Sequence, residues 1–435
     1  MISNYKSLIA IAVVFNVAYL TYDLSIPSSN GGNQPLTRTD LNLYDDTPGC
    51  RIENVDPYSE EIKDYIYKVN AITCSSRKPL TYILKREDKL TLNINASLLT
   101  DYSMLPVTCC FSTIKRNPLG PHPDDNLIIS DCAQFNDSVR VTGDLVKVEC
   151  SNFFHKVYEN VHITLQPPNA TVLNKDAPNV LLIGIDGVSR SNLIRTMPRT
   201  MEFCEKNGWV NLKGYNKIAD NTFPNLMAVL TGMNDSESER VCNPYDQSKL
   251  NGCEYFIWKR YKRHGYSTAH FQRHKSRLQR PPTDYYFRPY FLASNLLSSK
   301  RLCLNAHCTG PEKTGMRMQN AIKDFLSAVN NRTRGFGLFW MNSFSHEDFN
   351  CPSSMDDDFV SFFEGLRNEG HLDNTVILFF SDHGFRYGKI RLTHTGWMEE
   401  RLPFIYLGIP DNFRTAHQEE YKNLLENSEK LTSPF

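Results

Sequence analysis

The sequence predicts an α/β protein: a doubly wound, mostly parallel sheet preceded by a small β-rich, disulfide-bearing module and an N-terminal apolar helix. Three observations predict it. Apolar runs in the second half are continuous rather than alternating, as in strands buried on both faces of a parallel sheet. They are NVLLIGI (179–185), GWVNLKGY (208–215), YSTAHF (266–271), GFGLFWM (335–341), TVILFF (375–380) and PFIYLGI (403–409). Helix-like stretches such as 316–329 and 356–368 lie between them, the alternation that builds strand–helix–strand units. The first half instead shows short strands (LTYILK, KLTLNINASL, SVRVTGDLVKVEC, NVHITLQ) among six of the twelve cysteines.

In chain order, Lys6 precedes the apolar stretch LIAIAVVFNVAYLTY (8–22), interrupted by Asn16 and short against the roughly 20 residues that span a bilayer. No small-x-small site follows, which favours an uncleaved type II anchor over a cleaved signal peptide within residues 1–26. The bulk of the chain is then luminal or extracellular, or secreted if the segment is cleaved. Residues 27–49 are polar and turn-rich, a linker. Residues 50–170 form the β-rich module, and 176–435 the α/β domain. Five Asn-x-Ser/Thr triplets, at Asn95, Asn136, Asn169, Asn234 and Asn331, are glycosylation candidates. Together with an even cysteine count lacking paired CxxC knuckles, they point to an oxidising lumen rather than a zinc array. Short loops pair Cys242 with Cys253 and Cys303 with Cys308. Apolar residues make up 40% and charged residues 22%, ordinary globular composition. Lys plus Arg equals Asp plus Glu, at 48 each. A general polyanion binder carries a basic excess, so nucleic acid is excluded as the main partner.

Ligands of such folds gather beyond the carboxyl ends of the strands. Asp186 directly follows NVLLIGI, and Asp382 and His383 follow TVILFFS. Oxygen and nitrogen donors in that position suit zinc or manganese; alternatively, each aspartate caps the next helix. In Asp220-Asn-Thr-Phe-Pro-Asn225, Pro224 fits a first helical turn. Thr222 therefore stands at a helix N-terminus, where N–H groups and the dipole favour an anion. Its hydroxyl is a nucleophile toward phosphorus if a metal lowers its pKa, or else an N-cap.

The order strand-GIDG, TFPN opening a helix that ends in LTG, strand-SDHG, and Glu399-Glu400-Arg401-Leu402-Pro403 before an apolar strand resembles the alkaline phosphatase–sulfatase superfamily. Within it the chain is similar to the uncharacterised sulfatase-like family called domain of unknown function two-two-nine. The matching stretches are PNVLLIGIDGVSR (178–190), MPRTMEF (197–203), GYNKIADNTFPNLMAVLTG (214–232), FIWKRYKRHGYSTA (256–269), PPTDYYFRP (281–289), SDHGFRYGKIR (381–391) and EERLPFIYLGIP (399–410).

The resemblance implies an alkaline phosphatase-like fold and one metal site. In it Asp186, Asp382 and His383 are ligands, and Thr222 is both ligand and nucleophile. The divalent ion is zinc or manganese, with calcium as an alternative, and one or two ions are involved. For a second ion or the substrate anion the candidates are His346, Asp348, His394 and Asn243; Asn243 lies 21 residues after Thr222, the spacing of a phosphate-contacting asparagine in phosphodiesterase relatives. The Cys-x-Pro-x-Arg of true sulfatases is absent at Thr222-Phe-Pro-Asn, so a formylglycine mechanism is not implied. Relatives continue past the point where residue 435 ends this sequence, so the domain is read as possibly short of its last elements, which favours one ion over two.

The resulting expectation is a luminal or extracellular metal-dependent hydrolase or transferase, acting on phosphomonoesters or phosphodiesters through Thr222. Its partners are a phosphate- or sulfate-ester substrate and, through the N-terminal segment, a membrane. The alternatives are a catalytically impaired sulfatase-like ectodomain serving as a binding protein, and a sulfatase with a non-cysteine nucleophile. Arg190, Arg386 and Arg401 read as ion-pair partners, one of which could face an anion. Tyr285 and Tyr286 read as packing residues near the site rim.

Overall fold

The computed structural model describes residues 43–45, 52–86, 89–117, 126–168, 177–272, 283–297, 299–302, 305–329 and 332–429. The apolar stretch 8–22, Asn169, Asn331, Cys303 and most of the linker lie outside them; of the linker, Leu43–Asp45 is described and pairs as a short strand with Ile52–Glu53. Among the described residues no helix is long and apolar enough to cross a membrane.

Seven strands form the central sheet: β1 (Asn179–Ile185), β2 (Val210–Asn211), β3 (Tyr266–Gln272), β4 (Tyr285–Tyr286), β5 (Arg334–Met341), β6 (Thr375–Phe380) and β7 (Ile405–Gly408). Their order is β2-β7-β6-β1-β5-β3-β4. The five strands from β6 to β4 run parallel, while β7 is antiparallel to β6 and β2 to β7. The continuous apolar runs were thus read correctly for the middle of the sheet, with two corrections at its edge. First, PFIYLGI is antiparallel because the excursion 381–404 starts and ends at one edge. Ser381 N–H donates to Phe404 O (2.9 Å), so the chain re-enters the sheet running backwards. Second, GWVNLKGY contributes only Val210 and Asn211. Beyond them Lys213 N–H leaves the sheet for Ser428 O (3.1 Å).

Both faces of the sheet are covered, which is why its strands are apolar throughout. Alternate residues of β1 enter different buried clusters: Leu181, Ile183 and Ile185 on one face, Val180 and Leu182 on the other. Gly184 is required by this packing. A Cβ there would lie 2.1 Å from the ring of Trp340, its register partner on β5. Five helices position the site: α1 (Arg190–Thr196), α2 (Thr222–Thr231), α3 (Thr314–Val329), α4 (Asp356–Asn368) and α5 (His394–Arg401). Met318, Ile322, Phe325 and Val329 of α3 recur at helical spacing and are buried with Phe359, Phe363 and Leu366 of α4 in the Leu181 cluster.

The β-rich module is present as expected. Strands Thr81–Arg86, Lys89–Ile94 and Ser138–Arg140 make one sheet. A second is built from Lys156–Ile163, Leu145–Ser151 and Thr108–Arg116, with Leu127–Ile129 and Ala133–Phe135. Cys109–Cys150 and Cys110–Cys132 are disulfides, the first joining register partners. The module does not stand apart. Ile114, Leu145, Val161 and Ile163 share the buried cluster of β1.

Arg317 of α3 locks the two parts together. It is wholly buried and donates to Asn160 Oδ1 (2.8 Å), Val161 O (3.2 Å), Tyr290 OH (3.1 Å) and Thr309 Oγ1 (2.8 Å). It also pairs with Glu312 at 2.8 Å. A covalent tie runs alongside: Cys74 is bonded to Cys308. That corrects the expected Cys303–Cys308 loop. Cys308 is buried on the middle strand (Asn305–Thr309) of a small three-stranded sheet. There it meets a partner 234 positions away, a neighbour that loop spacing cannot reveal. Cys242 and Cys253 are bonded as their spacing suggested.

Removing one partner of a buried charge network strands the others, at a cost of about 3–5 kcal/mol. Arg317→Met is expected to lower the urea midpoint accordingly. An unchanged midpoint would show that the clamp is not what joins the two parts.

Candidate metal centre

Strands β1 and β6 are parallel neighbours with Gly184 opposite Phe380. Their carboxyl ends therefore place Asp186 beside Asp382 and His383. One donor atom from each of the three lies within 4.8 Å of the others, and all three side chains are almost fully buried.

Asp382 and His383 are held from behind, each leaving a free donor in the cluster. Asp382 Oδ1 accepts from Gly187 N–H (3.2 Å) and His383 N–H (2.9 Å), while Oδ2 has no hydrogen-bond partner. His383 Nδ1 lies 2.7 Å from Gly384 O. A carbonyl oxygen only accepts, so Nδ1 carries the proton and Nε2 presents its lone pair. Nε2 is 3.1 Å from Asp382 Oδ2 and 3.8 Å from Asp186 Oδ1, yet neither oxygen is hydrogen-bonded. Burial, and after it the neighbouring Asp382, push the Asp186 carboxyl up to about 7 against the opposing pull of His383 and Arg386.

Two buried carboxylates and an imidazole lone pair facing one another are unfavourable unless a cation compensates them. The oxygen–oxygen–nitrogen donor set is one that zinc or manganese accepts. The residues present therefore fit a divalent ion. The capping alternative for Asp186 fails, because the N-cap of α1 is Ser189, whose side chain accepts from Asn192 N–H (2.9 Å).

Thr222 is the first residue of α2 and the half-buried member of the group. Its Oγ1 is 3.4 Å from Asp186 Oδ2 and 3.5 Å from His383 Nε2, long for hydrogen bonds. The N-cap position is Asn221, so the N-cap reading of Thr222 is also set aside. The entry into α2 is shaped by Asn225. Its amide accepts from Ile218 N–H (2.8 Å) and Ala219 N–H (3.1 Å) and donates to Ala219 O (2.7 Å) and Asn221 O (2.9 Å).

The frame behind the cluster is ionic. A Cβ on Gly384 would sit 2.1 Å from Glu399 O, so only glycine lets the loop after His383 lie against α5. Glu399 takes two 2.6 Å bonds from Arg195 and one of 2.9 Å from Ser189. Glu400, fully buried, is bound by Lys217 (2.5 Å) and Arg391 (2.6 Å). The Glu-Glu pair of the motif thus braces the site.

The remaining candidates divide. His346 reaches the rim: its Nε2 is 3.1 Å from Tyr387 OH, and Tyr387 OH accepts from Arg386 (2.9 Å). Arg386 also donates to Asp220 O (2.7 Å) and to Asn221 Oδ1, which brings a cation to the N-terminus of α2. Asp348 and His394 are engaged elsewhere, by the segment 52–69. Asp348 Oδ2 accepts from Tyr67 OH and Oδ1 from Asn350 N–H (2.9 Å); His394, exposed, pairs with Glu53 at 2.8 Å. Asn243 is a left-handed helix end (φ 42°) whose carbonyl accepts from Asp246 N–H. None of the three belongs to the buried cluster.

Arg190 bonds Lys213 O, and Arg401 lies 3.6 Å over the Trp397 ring. Tyr285 and Tyr286 do pack, but on β4 at the far edge of the sheet rather than at the rim. The sequence reading missed Asn342 and Ser345, buried just past β5, whose side-chain oxygens Oδ1 and Oγ have no partner. A signal existed: like Asp186, Asn342 directly follows an apolar run. Asn136 and Asn234 are exposed and Asn95 is half-exposed.

The scaffold and the site together define an α/β protein with a buried Asp-Asp-His cluster at the carboxyl edge of a parallel sheet, fronted by a helix-borne hydroxyl. Residues 67–435 match the family described as "Protein of unknown function (DUF229)", and the chain belongs to that family. No curated protein matches it. Among solved structures it is similar to Ps i-CgsB in complex with k-i-k-neocarrahexaose, at 14% identity over 54% of this chain and 66% of that one, with a TM-score of 0.41. It is also similar to the lipoteichoic acid synthase LtaP from Listeria monocytogenes (12%, 56% and 70%, TM-score 0.39). A third is a protein in the alkaline phosphatase superfamily from Vibrio parahaemolyticus (16%, 56% and 63%, TM-score 0.41). The chain spans about two thirds of the length of these structures. At such low identity and overlap the chemistry has to be read from this chain's own residues.

The unpaired donors predict about one tightly bound divalent ion per chain. Zinc titrated into metal-stripped protein is expected to raise the melting temperature, since a ligand of the folded state alone stabilises it. Asp382→Asn is expected to abolish most of that rise. An equal rise in the variant would place the ion elsewhere.

Proposed function

We propose that this protein is a metal-dependent hydrolase or transferase of phosphoesters with Thr222 as its nucleophile. The observation that carries this reading is the position of the Thr222 hydroxyl. It is the half-buried group of the site, lying 3.4 Å from Asp186 Oδ2 and 3.5 Å from His383 Nε2, two donors buried behind it. A bound divalent ion would supply Lewis acidity, lowering the hydroxyl's pKa and offsetting charge on the phosphoryl group. Asp186, Asp382 and His383 would hold it.

The chain's own residues do the rest. Thr222, at the start of α2, is the half-buried group of the cluster, and Asp186 Oδ2 is the acceptor its proton faces. The first N–H groups of α2 and the Arg386 guanidinium favour the phosphoryl oxygens. Attack forms the Oγ1–P bond as the ester O–P bond breaks, and the alcohol leaves with a proton. Water or a second alcohol then cleaves the phospho-threonine, which separates hydrolase from transferase. Asn342 and Ser345 are unpaired oxygens on the neighbouring strand end and would accept from substrate hydroxyls or water. The disulfides support a luminal or extracellular setting.

A second reading, a binding protein with an impaired centre, is favoured by one observation: Asp348 and His394 are committed to Tyr67 and Glu53, so a second ion would lack the ligands expected of it.

Purified protein assayed on an aryl phosphate, an aryl phosphodiester and an aryl sulfate, with and without chelator, separates these readings. Chelator-sensitive turnover of a phosphoester is expected. Thr222→Ala should lower it by at least about a thousandfold, the scale for loss of a nucleophile, while binding zinc nearly as well as the parent. Full turnover by Thr222→Ala would sink the nucleophile assignment. Inactivity on all three esters with one bound ion would favour the binding protein, and turnover confined to the sulfate would mean a sulfatase.

A further inference from the structure

Two neighbouring turns at one end of the β-rich module leave four large apolar side chains in solvent. The turn between Leu145–Ser151 and Lys156–Ile163 exposes Phe153 (91%) and Phe154 (74%); the loop leading into Thr108–Arg116 exposes Met104 (92%) and Leu105 (43%). They form one tip, because Thr108 and Ser151 are register partners and Asn152 Nδ2 donates to Ser103 Oγ (3.1 Å). The Cys109–Cys150 disulfide braces its base.

Several of the tip's backbone N–H groups are paired internally, which lowers the cost of seating it at a bilayer surface. Asn152 Oδ1 accepts from the N–H groups of Phe154 (2.9 Å) and His155 (3.0 Å), and Asn152 N–H donates to His155 O (3.1 Å). Ser103 Oγ accepts from Leu105 N–H (3.0 Å), and Ser103 N–H donates to Leu99 O (3.0 Å). Proline follows at position 106 and has no N–H to satisfy. Phe153 and Phe154 pack edge to face on each other at 5.2 Å.

Size and charge choose the occupant. Four such side chains offer on the order of 500 Å², below the roughly 800 Å² per partner of a stable protein interface. It is ample, however, for an apolar wedge seated at the headgroup boundary. Behind the tip, the exposed Arg77 lies 5.2 Å over the Tyr102 ring, and Tyr102 OH donates to the carbonyl of exposed Lys78 (2.6 Å). Of the charged residues Arg77, Lys78 and Asp101, two are cationic and one is acidic.

We propose that Met104, Leu105, Phe153 and Phe154 form a membrane-inserting tip that seats the module on a lipid surface, with Arg77 and Lys78 against anionic headgroups. The surface is separate from the metal centre and does not rest on the proposed chemistry.

The test places a reporter at the tip of the full chain, so that its signal is local and independent of residues 8–22. Phe154→Trp protein is mixed with vesicles of equimolar phosphatidylcholine and phosphatidylserine, with and without bromine on the acyl chains. Its fluorescence, measured against the parent protein, is expected to shift blue and to be quenched by the brominated lipid. Adding Met104→Ser and Phe153→Ser should weaken the partition by about tenfold or more, since two apolar side chains no longer leave water. The proposal is overturned if there is no quenching by brominated lipid or if the serine substitutions leave it unchanged. Sedimentation in which those substitutions dissolve a dimer would also overturn it, assigning the tip to a second copy of the chain.

Discussion

Three electron-rich groups, the carboxylates of Asp186 and Asp382 and the Nε2 lone pair of His383, converge in one buried cluster, and much of the surrounding structure keeps them there. Two like charges placed together in a low dielectric repel strongly, so the groups have to be held in place by the structure around them. Backbone N–H groups hold Asp382 Oδ1, the Gly384 carbonyl fixes the His383 tautomer, and the parallel pairing of β1 with β6 sets the spacing. Farther out, the Arg195–Glu399 and Lys217–Glu400–Arg391 pairs tie α5 to the loop after β6. A charge of opposite sign at the centre would turn the repulsion into the main cohesive force of the site.

The same logic explains how the first third of the chain is used. A β module of this size could have hung on a linker. Instead it shares a core with the sheet, and the buried Arg317 reaches from α3 to the side chain of Asn160 and the backbone carbonyl of Val161. Residues 52–69 then run over the loops at the site edge. Arg195 reaches Pro57 O, Glu61 accepts from Thr395 N–H, and Asn350 exchanges hydrogen bonds with Tyr65 and Tyr67. Ile62 fills a small apolar cluster with Phe349 and Ile390. These contacts tie the segment to the loop that carries Asp348 and to the start of α5 at His394. They also explain why Asp348 and His394 turn toward the segment and only His346 remains at the rim.

Much of this protein was legible in the sequence alone. Continuous apolar runs showed a two-sided parallel sheet, because burial on both faces removes the polar alternation that one wet face would impose. An acidic residue at the end of such a run, directly after it at Asp186 and one position later at Asp382, marked the two strand ends that meet in the cluster. The Thr-Phe-Pro-Asn signal located the helix start at which Thr222 lies. All of these are short-range facts, in which periodicity, caps and turns act within a few residues. What only the tertiary structure decided is long-range. It paired Cys308 with Cys74, turned PFIYLGI antiparallel, and drew Asp348 and His394 away to Tyr67 and Glu53. It also left Asn342 and Ser345 as unpaired oxygens beside the site. Each of these outcomes depends on which segments become neighbours, and for Cys308, Asp348 and His394 the partner lies 234, 281 and 341 positions away. No local pattern encodes that, because the energy that selects it comes from packing and from satisfying buried charges together.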